Sequence, residues 1–396
     1  MTVFQGSIPA WPVFDAEDEA RLTEVLHSRR WWRGNGAVGD AFEAAFAEFT
    51  GARHVRAVAN GSLALELALR ALEIGPGDEV IVPACTFIAT ASAVLQIGAW
   101  PVPVDVDRTT LNMDPAAFEA AIGPRSRCVI PVHMAGQIAR MPEISAIAQR
   151  HGLSIIEDAA HAHGARAYGR GVGAWGDMTV YSFQSGKLMT AGEGGAVTTD
   201  RADLAERTFA LHSCGRPAGD TEYRHVEPAT NMRLTEFQSA ILLGQLRRLP
   251  EQLRRREAMA PVLEAALTTN GAIPLSRAPG TELHSHYMTM AWLDPADYGA
   301  ADAGEVARRL RAAGLTAFRC FPEVHRTGMF APAHLARLAG RAGPPPDYAA
   351  IATPVAAAAA REAVWLPHAL LLGDIPLLGA VGDLLAALRV PASAAA

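Results

Sequence analysis

Lysine occurs once in this chain, at Lys187, among 35 lysines and arginines in 396 residues. Arginine serves for surface charge and ion pairs, but its guanidinium stays protonated in proteins and cannot act as an amine nucleophile. A chain that uses arginine almost everywhere else has either drifted in composition or kept this lysine where arginine fails. The surroundings favour the second. Lys187 lies in Ser182-Phe183-Gln184-Ser185-Gly186-Lys187-Leu188-Met189-Thr190-Ala191-Gly192-Glu193-Gly194-Gly195, between two strand-like runs. Charges are sparse there, and glycines let backbone approach a ligand closely. A lysine with little water and few counter-charges is a candidate for covalent chemistry on a carbonyl.

Two further features fit the same ligand. Ala59-Asn60-Gly61-Ser62 leads from a strand directly into a helix. The free N–H groups and dipole of such an N-terminus make an anion site, with Gly61 allowing close approach and Ser62 adding a hydroxyl. Taken alone, this motif reads more simply as a serine N-cap. Leu153-Ser154-Ile155-Ile156-Glu157-Asp158 then sets Asp158 at the carboxyl end of an apolar strand, where parallel α/β sheets bind ligands. A carboxylate there can keep a pyridine nitrogen protonated; its plain alternative is a cap on the following turn. Lys187 follows 187 − 158 = 29 residues later. Phosphate site, buried acid and amine nucleophile, in that order, describe a site for pyridoxal 5'-phosphate.

The elements that must position these residues alternate. Helices are expected over 42–49, 62–72, 90–97 and 142–151. Strands are expected over 55–59, 79–82, 101–106, 128–133, 153–157, 178–183 and 195–198. Apolar strands alternating with amphipathic helices predict an α/β fold with a mostly parallel sheet covered on both faces. A helix over 234–249 is expected to stop at Pro250, with a second over 252–269. The domain boundary falls between them, giving a large domain 1–250 and a smaller α+β domain 251–396. Within the latter, strands are expected at 285–293 and 316–319, helices at 303–313 and 377–388, and a loop over 341–354. A hydrophobic content of 50% and a net charge of −6 describe a folded protein with ample core. They offer no general attraction to nucleic acid or anionic membrane. No basic segment leads into an apolar stretch at the start and no run is long enough to span a bilayer, so a cytoplasmic location is expected. The four cysteines lack metal-ligand spacing, which predicts small buried hydrophobes and no metal.

The motifs together resemble one family closely. Gly75-Pro76-Gly77-Asp78-Glu79-Val80-Ile81-Val82-Pro83, Thr86-Phe87-Ile88-Ala89-Thr90, Pro103-Val104-Asp105-Val106-Asp107, Glu157-Asp158-Ala159-Ala160-His161-Ala162-His163-Gly164-Ala165 and the lysine segment are similar to the DegT/DnrJ/EryC1/StrS aminotransferases. These are fold-type I pyridoxal-phosphate enzymes that aminate keto-sugars and cyclitols. The resemblance covers nearly the whole chain. It implies that Lys187 joins the cofactor covalently and that Asp158 pairs with its ring nitrogen. It further implies that Gly61, Ser62 and Ser182 hold the phosphate, that Phe87 stacks on the ring, and that His161 stands near the phenolic oxygen. Asn231 matches a position that reaches the phosphate of a neighbouring subunit, so a homodimer with shared active sites is implied.

Within the family, the segment Gln184-Ser185-Gly186-Lys187-Leu188-Met189-Thr190-Ala191-Gly192-Glu193 is more similar to cyclitol aminotransferases and to 3-amino-5-hydroxybenzoate (AHBA) synthases than to nucleotide-sugar enzymes. Arg30-Trp31-Trp32-Arg33, His133-Met134-Ala135-Gly136, His212-Ser213-Cys214-Gly215-Arg216-Pro217 and Ser285-His286-Tyr287-Met288 point the same way. Arg319-Cys320-Phe321-Pro322-Glu323-Val324-His325 lies nearer the cyclitol branch. The reading is a transaminase of antibiotic biosynthesis that moves an amino group from glutamate or glutamine to a sugar or cyclitol ketone. AHBA synthase, which also aromatises its substrate, is the alternative within the enzymes. A cofactor-binding regulator without turnover is the alternative outside them, and the intact Lys187, Asp158 and phosphate loop argue against it. Trp32, Arg33, His133 and Arg233 are candidate substrate contacts; for each, packing or an ion pair is the competing role.

Overall fold

The computed structural model describes residues 3–390. Seven strands form the main sheet: β1 (His54–Val58), β2 (Glu79–Pro83), β3 (Trp100–Val104), β4 (Ser126–Val129), β5 (Ser154–Asp158), β6 (Met178–Ser182) and β7 (Gly195–Thr199). Their order is β1-β7-β6-β5-β4-β2-β3. The pairs within β3-β2-β4-β5-β6 are all parallel. β7 alone runs against both of its neighbours. Alternation along β2 shows why the strands are so apolar: Ile81 enters one core cluster, while Val80 and Val82 enter the cluster on the opposite face. With helices on both faces, neither side of a strand can be polar.

A second, antiparallel sheet joins Ile273–Pro274, Met288–Trp292, Ala363–Pro367 and Phe318–Arg319 in that order. Helices Ala303–Ala312 and Ile375–Leu388 pack on it through Val306, Leu310, Leu378 and Val381.

The expected stop at Pro250 does not occur. One helix runs unbroken over Glu236–Thr269, opened by a capping box between Thr235 and Gln238. Pro250 is exposed, so the hydrogen bond it cannot make falls on the side where water substitutes most readily. Burial overrides the local breaker. Leu242, Leu246, Leu249 and Leu253 belong to the core under the main sheet, whereas Met259, Leu263 and Leu267 belong to the core of the second. The helix is therefore shared by both units, and two segments cross the expected division at residue 250. Phe4 packs with the second core, and Val324, Phe330, Leu335 and Tyr348 pack against the main sheet. The expected loop over 341–354 begins at the end of helix Pro332–Ala342. It is tied to β3 by Trp100 Nε1 donating to Ala342 O at 3.0 Å and Tyr348 OH donating to Pro101 O at 2.9 Å. Among the described residues no helix is long and apolar enough to cross a membrane.

Candidate active site

A cavity of about 560 Å³ opens at the carboxyl ends of β5 and β6, walled on one side by Phe321 and Trp365 from the second unit. Seven residues singled out in the sequence line it: Gly61, Ser62, Phe87, Asp158, His161, Ser182 and Lys187. They come from four chain segments that only the parallel topology brings to one edge.

Lys187 is buried, and its Nζ sits 4.4 Å from the centroid of the Tyr287 ring. Burial pushes its pKa down to about 8, against the opposing pull of Asp158. No carboxylate among the described residues lies within ion-pair distance of the amine. A tightly paired lysine would be locked as the ammonium, whereas this one reaches the free-amine form near neutral pH.

Asp158 ends β5 with both carboxylate oxygens engaged. Thr90 Oγ1 donates to Oδ2 at 3.0 Å, and the Ala160 N–H donates to Oδ1 at 3.1 Å. Burial raises its pKa, while those two hydrogen bonds and Lys187 act in the opposite direction. The side chain is thus fixed in orientation at the cavity floor. His161 is buried with its ring stacked on Tyr287 at 4.4 Å between centroids. Its Nδ1 has no hydrogen-bond partner among the described residues. Burial and the nearby Lys187 hold its pKa well below the usual imidazole value, so the ring is neutral.

At the other end of the cavity, helix Gly61–Ala71 presents its N-terminus. The cap is Asn60 rather than Ser62: Asn60 Oδ1 accepts the Leu63 N–H at 2.9 Å. Ser62 is thereby released from capping, and its hydroxyl stays available to the cavity along with the terminal N–H groups. The packing leaves no spare room here. A Cβ on Gly61 would sit 2.8 Å from Ser182 Cβ, and one on Gly195 would sit 2.6 Å from the Asn60 carbonyl carbon.

The remaining candidates lie outside this cavity. His133 is buried with both ring nitrogens used: Nδ1 accepts the Ala139 N–H at 3.2 Å, and Nε2 lies 2.9 Å from Glu157 Oε2. It joins β5 to the loop that follows β4, and both of its ring nitrogens are engaged. Arg33 directs Nη2 to Asp40 at 2.6 Å and to Glu43 at 3.0 Å, while its buried Nε has no partner among the described residues. Glu43 in turn bonds Arg56 and the Ala57 N–H, so Glu43 ties helix Val38–Thr50 to β1 and holds Arg33 against both. The structure places both residues in buried ion-pair and hydrogen-bond networks and not on the lining of this cavity. Trp32 is 53% exposed, with the Arg233 guanidinium 5.8 Å from its ring. Asn231 is also exposed, its Oδ1 accepting the Arg233 N–H at 3.1 Å. These three form one outer surface beside β1. Residues not singled out individually complete the cavity, among them Thr86, Thr90, Gln184, Tyr287, Phe321 and Trp365. Several lie inside quoted motifs, but nothing local in the sequence aims them at Lys187.

The sequence profile of the DegT/DnrJ/EryC1/StrS aminotransferase family matches residues 12–375. The chain is 41% identical over 385 residues to a 3-amino-5-hydroxybenzoate synthase of Amycolatopsis mediterranei, covering 96% of each. It is 38% identical over 382 residues to an L-glutamine:2-deoxy-scyllo-inosose aminotransferase of Micromonospora echinospora, covering 92% of this chain and 90% of that one. Among solved structures, an AHBA synthase superposes with a TM-score of 0.88 at 39% identity, covering 96% of this chain and 98% of the other. Agreement of this extent, over both the main sheet and the second unit, leaves one assignment: the chain belongs to the DegT/DnrJ/EryC1/StrS aminotransferase family.

Proposed function

We propose that this protein is a pyridoxal-phosphate-dependent transaminase of the cytoplasm that aminates the ring ketone of a cyclitol or sugar in antibiotic biosynthesis, with glutamine or glutamate as donor. The observation that carries the reading is a buried amine, Lys187, sharing one cavity with a fixed carboxylate at a strand end and a helix N-terminus whose cap, Asn60, leaves the Gly61 and Ser62 donors to the cavity. Those groups fit the cofactor, since the unpaired donors at Gly61 and Ser62 suit a phosphate and the orphaned buried Nδ1 of His161 suits a polar ring substituent.

When bound, pyridoxal phosphate supplies an aldehyde for amines and an electron-accepting ring. Lys187 supplies the free amine to that aldehyde and afterwards holds and moves a proton at Nζ, roles its low pKa permits. Asp158, steadied by Thr90 and Ala160, presents its carboxylate to the ring nitrogen. Gly61, Ser62 and Ser182, which line the cavity, would hold the phosphate, and Phe87, also on the lining, would stack on the ring. His161, held neutral by burial, would meet the phenolic oxygen through its free Nδ1. Tyr287, Phe321 and Trp365 line the same cavity and would help exclude water from it. Asn231, exposed and outside its own cavity, serves the phosphate of the partner in a homodimer, with Trp32 and Arg233 beside it at the shared rim.

The two relatives set out the substrate question. The Micromonospora protein is named for glutamine and a deoxyinosose, and the Amycolatopsis protein for AHBA synthesis. The cyclitol reading is tested in half-reactions: L-glutamine should bleach the visible absorbance of the bound aldehyde, and a scyllo-inosose-type ketone should restore it. Restoration only by a carboxylated cyclohexenone, with release of water and an aromatic product, would establish the AHBA alternative. Cofactor bound with no bleaching by any amino acid would mark a regulator.

A further inference from the structure

The backbone next to Lys187 is held by residues from distant parts of the chain. Trp11 Nε1 donates to the Ser185 carbonyl at 3.0 Å. His368 Nε2 lies 3.2 Å from the Gly186 carbonyl, and its Nδ1 lies 3.0 Å from Arg256 Nη2. A guanidinium can only donate, so Nδ1 must accept, and the neutral ring carries its proton on Nε2, directed at Gly186 O. The Trp11 ring meets His368 edge-on at 4.6 Å and 89°, and the Arg256 guanidinium lies 5.5 Å from the same indole.

Arg256 is an unusual residue to find here. It is fully buried, its Nε and Nη1 have no partner, and no carboxylate among the described residues pairs with it. Burial drives its pKa down to about 9. Burying a guanidinium without a counter-ion costs stability, so its one hydrogen bond calls for a reason. That bond selects the His368 tautomer. Burial first and Arg256 second keep the His368 pKa well below its ordinary value, which leaves the ring neutral and the tautomer meaningful.

We propose that Arg256, His368 and Trp11 are positioning residues for Lys187: the guanidinium fixes the imidazole tautomer, and the imidazole and indole N–H groups clamp the Gly186 and Ser185 carbonyls, which keeps the adjoining amine buried in the cavity wall. The clamp spans the N-terminal segment, the long helix and the second unit, so the reacting group is registered against all three. The inference rests on Lys187 as the reacting amine, as proposed above. The groups facing that amine are Asp158, His161, His163, His368 and the Tyr287 ring.

Because lysine occurs once, the amine can be read directly. Reductive ¹³C-methylation of the cofactor-free full chain labels Lys187 and the α-amine, which differ in chemical shift, and the Lys187 methyl signal is followed against pH. His368→Phe keeps the aromatic contact with Trp11 and removes both nitrogens. With the clamp released, the amine hydrates and its midpoint should rise by about one unit toward the ordinary lysine value of about 10.4. His368→Gln, whose amide can again donate to Gly186 O, should return the midpoint toward that of the unsubstituted protein. Trp11→Phe should raise it by a smaller amount. A His368→Phe variant that stays folded by circular dichroism and titrates as before overturns the proposal. So does a shift that His368→Gln leaves unchanged, because the ring would then matter only as packing. If His368→Phe does not fold, Trp11→Phe decides, and an unchanged midpoint there is equally fatal. Borohydride fixation of the cofactor tests the role of Lys187 itself, so a failure of that reading is seen separately.

Discussion

Lys187 Nζ faces the Tyr287 ring at 4.4 Å, and no carboxylate among the described residues pairs with it. The contact gives the ammonium some attraction without the proton-locking effect of an ion pair. An amine so placed should be the single point of covalent attachment. The purified protein should be yellow, and mild borohydride should fix the cofactor to one peptide, the one containing Lys187. Lys187→Arg keeps the positive charge yet should lose turnover completely. Label on another residue would refute the assignment.

The Asp158 carboxylate, tied to Thr90 and Ala160, should act electronically. Asp158→Asn should lower kcat by about three powers of ten, roughly 4 kcal/mol at about 1.4 kcal/mol per factor of ten. Thr90→Val, which removes one hydrogen bond to the carboxylate, should lower it by about ten-fold. The fold should survive both, as checked by circular dichroism. Asp158→Asn within a few-fold of the unsubstituted enzyme would reduce the residue to a turn cap.

The low Lys187 pKa is also a statement about stability. Its folded-state value of about 8 lies below the ordinary 10.5. Between those two values the unfolded chain binds more protons than the folded one, so stability rises with pH across that window. Below it the burial penalty is present in full. The cofactor-free protein should therefore gain stability from pH 8 toward pH 10.5, and Lys187→Met should remove that gain. The same variant should be the more stable of the two at pH 7, where the buried ammonium is relieved. Urea unfolding of the pair at pH 7, 8, 9 and 10 measures the difference, and parallel curves would show that the amine is not buried as an ion.

Most of the main sheet and the cavity floor was legible because both depend on local patterns. Apolar runs mark strands buried on two faces, and Asp158, Gly61 and Ser62 stand at strand ends and helix starts that chain order alone defines. Pro250 shows where local rules lose: a helix with Leu249 and Leu253 in one core and Leu263 and Leu267 in another is held by burial on both sides of the proline. Ser62 shows a finer case, since the neighbouring Asn60 takes the capping role that either residue could fill. His133 and Arg33 show the limit of motif reading, because a polar residue beside a quoted motif looks the same whether it meets a ligand or, as in this structure, bonds a buried glutamate. Tyr287, Phe321, Trp365 and His368 reach the site across long sequence separations, for which one sequence carries no signal.

Asn231 gives the sharpest test of a shared site. It is exposed, its Oδ1 is turned back onto the Arg233 N–H, and it does not line the cavity of its own chain. If it serves the partner's phosphate, two damaged variants should rescue each other. Lys187→Ala lacks the amine in its own site, whereas Asn231→Ala weakens the site of its neighbour. A mixed dimer then holds one site with both defects and one with neither. Random pairing makes half of the dimers mixed, and half of their sites are intact, so activity should recover to about a quarter of that of the unsubstituted enzyme. Subunit exchange is followed by differently tagged chains, and activity is read before and after mixing. If exchange occurs and nothing is restored, or if the protein is monomeric at working concentration, Asn231 acts within its own chain and the shared-site reading fails.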